Sequence, residues 1–223
     1  GPNCARAVGS ASALKIIEEV VKWIRFIVSL GLERPPALVR CPNGPGVVGS
    51  VDVVADQHVL VADTPEFDFE PGATLSCWAF TQETGGFWRN VMSKGTEDAD
   101  QGKWIGLWRG PNDPGNWWMR AGNNFHSTVP ATAGAWTHLA LTFEQGGIAR
   151  LYVNGTEVHN ASNTPGVPTN GTQQFSIGRA LGSPEYFSGL LDEVRWSQTE
   201  RDADWVKLDY ENQRPFQELV SFE

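Results

Sequence analysis

From Val47 onward the apolar residues recur with a period of two. The runs LSCWAF (75–80), WIGLW (104–108), WTHLALTF (136–143), ARLYV (149–153), QFSIG (174–178) and LLDEVRW (190–196) are short and rich in β-branched and aromatic residues. That is the pattern of strands in a pleated, half-buried sheet. Turn clusters (QETGG, RGPNDPGN, EQGG and VNGT) separate them. Asn154-Gly155 between LYV and TEVH suits a type I′ hairpin turn, which needs two residues at positive φ. Many strands at hairpin spacing with no helix between them predict an all-β antiparallel sandwich or jelly roll. A helical pattern returns at 200–209 (ERDADWVKLD), predicting a short C-terminal helix.

Residues 1–45 read differently from 46–223. Over 12–32 the period is helical: Lys15, Glu18, Glu19, Lys22, Arg25 and Ser29 share one arc, and Ile17, Val20, Val21, Ile24, Ile27 and Val28 lie opposite. Ile16, Trp23, Phe26 and Leu30 widen the apolar face. The prediction is an added N-terminal amphipathic helix, and its charges exclude a membrane-spanning one. Three uses stay open: packing on its own β domain or on a second copy as a homo-oligomer, lying in a membrane interface, or docking another protein. Gly31 and Pro35-Pro36 end it, and ERPPALVRCPNGPG has the composition of a connection.

Composition narrows the function. Of 223 residues, 26 are acidic and 17 are Lys or Arg, a net charge of −9 that argues against nucleic acid as a partner. Ten tryptophans exceed what one core needs, and their flat amphipathic faces suit sugars. Cys4 and Cys41 flank the N-terminal segment and either clasp it or stay reduced, whereas Cys77 sits in a strand pattern as a small buried hydrophobe. Sequons at Asn154, Asn160 and Asn170 matter only in a eukaryotic secretory pathway. His58, His126, His138 and His159 have no metal-ligand or nucleophile spacing, and a lone strand histidine is a structural residue first.

The order VADTPEFDFEPGATLSCWAF, VMSKG, AWTHLALTFEQGGIARLYVNGTEV and FSIGRALGSPEYFSGLLDEVRWSQTERDADWVKLDYENQ resembles laminin-G-like jelly rolls of the concanavalin A-like lectin/glucanase superfamily. The resemblance covers about residues 47–223, and the tail is similar to copies in large bacterial and archaeal surface proteins. It implies two curved sheets, a secreted or cell-surface setting, and a ligand surface on the concave face or loop rim. A Ca²⁺ ion often sits at that rim. Val54-Ala55-Asp56-Gln57-His58-Val59 stands where the family opens with an acidic stretch, so Asp56 with Asp192 is the candidate metal pair. For Asp192 the choice lies between calcium and a hydrogen-bonded structural role.

Strand alternation puts Leu191, Glu193 and Arg195 on one face and Leu190, Asp192, Val194 and Trp196 on the other, an apolar face on which the Asp192 carboxylate needs a partner. In Glu66-Phe67-Asp68-Phe69-Glu70 three acids alternate with two inward phenylalanines. Neighbouring acids there would stand roughly 7 Å apart, wider than the ~5–5.5 Å of a retaining glycosidase pair. Pro65 and Pro71 bracket the run as a solvated edge. The E-x-D-x-x-E strand common in the superfamily's glycosidases is missing from the sequence.

Trp104 and Trp108 fall on one strand face with Gly106 between them, the arrangement of a stacking platform. Trp117 and Trp118 point opposite ways, one into the core and one out. Arg109, Arg120, Asn116, Asn123 and Asn124 nearby supply planar hydrogen bonds. Trp78, Trp136 and Trp196 are expected in the core. The reading is a non-catalytic extracellular module that binds carbohydrate or an extracellular protein. An assembly module driven by the helix and a glycan-active enzyme are the alternatives.

Overall fold

The computed structural model describes residues 26–28, 58–68, 70–82, 86–95, 105–111, 115–121, 124–162, 172–183 and 185–214, with backbone alone at 26–28, 66, 105 and 124–128. Among the described residues twelve strands form two six-stranded antiparallel sheets. The first runs β1 (Phe26–Val28), β12 (Gly189–Ser197), β3 (Gly72–Thr81), β8 (Trp136–Glu144), β9 (Ile148–Val153), β10 (Thr156–Ser162). The second runs β2 (Val59–Val61), β11 (Phe175–Ile177), β4 (Arg89–Lys94), β5 (Ile105–Arg109), β6 (Asn116–Ala121), β7 (Asn124–Pro130). A 3-10 turn at Pro65–Phe67 and one helix, α1 (Ala203–Gln213), complete the described elements. No helix among the described residues is long and apolar enough to cross a membrane.

The core lies between the sheets. Leu75, Cys77 and Ala79 of β3, Leu139 and Leu141 of β8 and Leu151 of β9 face Met92 of β4, Leu107 of β5, Trp117 and Met119 of β6, and Phe175 and Ile177 of β11. Each such side chain removed from water contributes about 1.5–3 kcal/mol. Burial pushes the Cys77 thiol well up, helped by the negative charge of Asp192, so Cys77 packs as the expected inert hydrophobe. Cys4 and Cys41 lie outside the described residues.

The Asn154-Gly155 turn forms as expected, with φ of 50° and 74°. Asn154 locks it: its backbone N–H donates to the His138 carbonyl at 2.8 Å, and its Oδ1 accepts from the His138 N–H at 2.9 Å.

Three expectations need correction. Within the segment 12–32 the described residues Phe26–Val28 are a strand paired to β12, with Phe26 opposite Val194 and Val28 opposite Leu191. The β-branched pair Ile27-Val28 suits a pleat, and the free edge of β12 offers backbone groups that helical periodicity does not anticipate. The remainder of 12–32 lies outside the described residues.

The second correction is at β12. A bulge between Asp192 and Arg195 adds one residue, so Leu191, Val194 and Trp196 all face the core. Asp192, opposite Trp78, is on the outer face and not on the core side. Glu193 takes φ of 50°, and Asp192 Oδ1 accepts its N–H at 2.7 Å, which holds the bulge.

The third concerns the run 66–70, where alternation suggested an edge strand: its start lies in the 3-10 turn Pro65–Phe67, and Phe69 lies outside the described residues. Phe67 does point inward, stacking on Phe175 at 5.2 Å and tilting against Trp196 at 5.7 Å. Asp68 is half-buried and faces Lys94 Nζ at 3.7 Å, and Asp63 lies 2.6 Å from the same ammonium.

α1 begins at the Asp202 cap, whose side chain accepts the Trp205 N–H at 2.8 Å. It lies on the outer face of the first sheet. Beneath it, buried His138 Nε2 stands 3.3 Å from Asp209 Oδ2, Arg195 Nη1 donates to Asp209 Oδ1, and Gln213 Nε2 donates to the same oxygen at 2.6 Å. Trp78 is buried as expected, its place being under this helix, and it donates to Gln213 Oε1 at 2.9 Å. Trp196 is in the core as expected, and Trp136 is half-buried against Phe80.

Candidate functional site

The outer face of the second sheet and the loops at one of its ends carry the aromatic residues that the core does not use. Register aligns Asn90, Trp108 and Trp118 in one row across β4, β5 and β6, and Ser93, Gly106 and Arg120 in the next. The connection from Gly178 to Ser188 folds over this end, because the Asn90 N–H donates to the Glu185 carbonyl at 3.1 Å and the Phe187 N–H to that of Gly178 at 2.9 Å.

That connection buries Trp108, which is 2% exposed and donates Nε1 to Glu185 Oε2 at 3.2 Å. Gly106 is its seat. A Cβ there would lie 2.7 Å from Trp108 Cη2 and 2.5 Å from the Met92 carbonyl oxygen. The expected gap between two stacking tryptophans is therefore filled by Trp108 itself, and Trp104 lies outside the described residues. Gly106→Ala is expected to cost roughly 1–3 kcal/mol, as overpacking does. A denaturation midpoint shifted down with an altered near-ultraviolet tryptophan spectrum would show it.

Trp117 and Arg109 are fully buried and face the core side, so neither presents a surface to a ligand. Trp118 is the outward member of its pair, half-buried, packed on Gly110 and set edge-to-face with Trp88 at 5.1 Å. Arg120 lies half-buried in the next row of the same outer face, and for Asn124 the backbone alone is described, opposite Ala121. Asp56 lies outside the described residues, and Asp192 serves the β12 bulge on the other sheet. Among the described residues no three His, Cys, Asp or Glu side chains gather into a metal-binding group.

The structure brings forward a different set. Phe87, Trp88, Arg89, Ser183 and Glu185 line an open cleft of about 510 Å³ at the loop rim. Phe87 is 70% exposed, and the Arg89 guanidinium sits 5.6 Å from its ring centroid. An exposed aromatic ring beside half-buried indoles, a carboxylate and a guanidinium is a surface on which a sugar ring stacks while its hydroxyls find donors and acceptors. In sequence the signal is GGFWRN (85–90): two aromatics directly after a Gly-Gly turn, where no strand phase carries them inward. Glu185 has no such local signal; only the fold of its loop places it. Among the described residues lining the cleft, Glu185 is the one carboxylate.

At the same end His58, Arg179 and Tyr186 meet. Arg179 Nη1 is 3.4 Å from His58 Nε2, the guanidinium carbon is 5.3 Å from the Tyr186 ring centroid, and Arg179 and Tyr186 form a β-bridge.

Comparison with known proteins places this geometry. A family model of the concanavalin A-like lectin/glucanases superfamily matches residues 54–207. The fold is similar to domain 4 of AbnA, a GH43 extracellular arabinanase from Geobacillus stearothermophilus, solved in complex with arabinotriose: TM-score 0.50, 22% identity, 64% of this chain and 69% of that one. It is also similar to a putative carbohydrate binding protein from Bacteroides ovatus (TM-score 0.52, 21% identity, 71% of this chain and 48% of that one). A third likeness is to the binding domain of Paraclostridial Mosquitocidal Protein 1 (TM-score 0.54, 13% identity, 70% and 41%). The chain thus spans less than half the length of the last two. No curated protein matches the sequence.

Proposed function

This chain belongs to the concanavalin A-like lectin/glucanase superfamily, and on that premise we propose that its β-sandwich is a non-catalytic carbohydrate-binding module working outside the cell. The observation that carries the reading is the rim cleft, where exposed Phe87 and half-buried Trp88 stand beside Arg89 and Glu185. Aromatic rings shed water readily to meet the apolar faces of sugars, and the charged neighbours orient hydroxyls. Supporting it, solved structures with this fold include a domain holding arabinotriose and a putative carbohydrate binding protein. The binding role is preferred over glycan hydrolysis because the one carboxylate among the described lining residues is engaged by Trp108. Its preferred partners are therefore glycans.

A glycan array probed with the whole chain and with Phe87→Ala tests the reading. Wild-type binding to a restricted set of glycans is expected, weakened roughly tenfold or more in the variant, since one aromatic stack is worth about 0.5–1.5 kcal/mol beyond its buried area. Phe87 is exposed, so the variant's denaturation midpoint should not move. No wild-type binding across the array, or binding indifferent to Phe87, would overturn the assignment.

A further inference from the structure

We infer that the glycan this module takes is acidic, with a sugar carboxylate received by Arg179. The inference rests on the carbohydrate-binding reading above and names the substrate class of the same end of the molecule. Several cations of the fold meet acids: Lys94 lies 2.6 Å from Asp63, Arg150 Nη1 2.8 Å from Glu200, and Arg195 Nη2 2.9 Å from Glu193. Arg179 is held otherwise. Its guanidinium lies over the Tyr186 ring and against His58, it meets no carboxylate among the described residues, and its buried Nε has no hydrogen-bond partner there.

In a chain with 26 acids and 17 Lys or Arg, a half-buried guanidinium that meets no carboxylate among the described residues is placed to receive one from a ligand. Stacked on an aromatic face, its planar fork is pre-oriented and matches a carboxylate through two parallel N–H···O bonds. Glu185, six residues on and beside Tyr186, is directed to Trp108 Nε1, which leaves Arg179 uncompensated by it. Tyr186 in turn follows directly on this wall of the cleft. The Arg179–Tyr186 bridge adjoins the cleft-lining Glu185 in the chain, and an acid group that reaches it gains a counter-charge where a neutral hydroxymethyl group gains none.

Titration calorimetry with two matched pairs tests this: galacturonate oligomers against the same oligomers reduced to galactose, and a sialylated trisaccharide against its asialo form. The full chain is expected to prefer the acidic member of at least one pair by about tenfold or more, the worth of a charge-assisted hydrogen bond. Arg179→Gln should remove that preference while leaving the weaker neutral binding, and Arg179→Lys should restore part of it. Phe87→Ala should weaken acidic and neutral binding alike. Equal wild-type affinity for acidic and neutral members, or a preference that survives in Arg179→Gln, overturns the inference and leaves the carbohydrate reading intact. Binding to neither member of either pair, with an empty glycan array, overturns both. The wild-type comparison decides without requiring any variant to fold.

Discussion

Asp209→Ala is expected to lower stability by roughly 2–4 kcal/mol and to loosen α1, because removing one partner of a buried ionic cluster strands the others. Asp209 collects hydrogen bonds from Arg195 and Gln213 and faces His138, itself 1% exposed, beneath the helix. The figure sits below that of a fully sequestered pair because Arg195 keeps Glu193 at 2.9 Å and remains partly exposed. Denaturant unfolding followed by tryptophan fluorescence measures the loss, and hydrogen exchange at 203–213 locates it. A change below about 0.5 kcal/mol, the level of an ordinary surface substitution, would mean that the cluster does not hold the helix.

The same site has a pH signature. Burial pushes the Asp209 carboxyl up. The hydrogen bond and charge of His138 and the charge and hydrogen bond of Arg195 outweigh it and hold the carboxyl below its ordinary value. A depressed folded value means the unfolded chain takes up the proton first as pH falls. The stabilisation is therefore complete above the ordinary aspartate range of about 3.9 and is lost as pH drops through the lower folded value. The stability gap between wild type and Asp209→Asn should be constant at neutral pH and close below about pH 4. A gap that persists there would assign the effect to packing.

Phe67→Ala should be as damaging, at roughly 3–5 kcal/mol. That corresponds to a fall in Tm of roughly 6–20 °C for a domain of this size. Phe67 leaves the 3-10 turn to stack on Phe175 of β11 and meet Trp196 of β12, so it ties a connection to both sheets at once. Truncation opens a cavity that two rings and the surrounding backbone cannot close. Phe67→Leu should recover most of the loss in the same thermal unfolding series. An alanine variant within about 1 kcal/mol of wild type would show that this end of the sandwich collapses freely, contrary to its packing.

The strands were legible because their cause is local. Alternation in LSCWAF, WTHLALTF and LLDEVRW reports which residues a pleat can bury, and Asn154-Gly155 reports a turn only such residues adopt easily. Opposite facing of Trp117 and Trp118 follows from the same period and holds in β6. The phase of a strand is another matter. One extra residue at the Asp192–Arg195 bulge moved Asp192 off the apolar face, and a bulge is decided by the partner strand.

The ligand site was half legible, and the split has the same origin. The sequence by itself determined a sandwich with more aromatic surface than its core requires and an acid excess unsuited to nucleic acid. Tertiary structure alone decided which rings are free. Trp108 follows the expected strand period yet is covered by Glu185 from 77 residues away, whereas Phe87, in no strand, stays exposed at the rim. The pairing of His138 with Asp209 across 71 residues is likewise invisible to spacing. Backbone period is set by neighbours along the chain, but solvent access and charge compensation are set by whatever the fold lays on top, and that information is long-range.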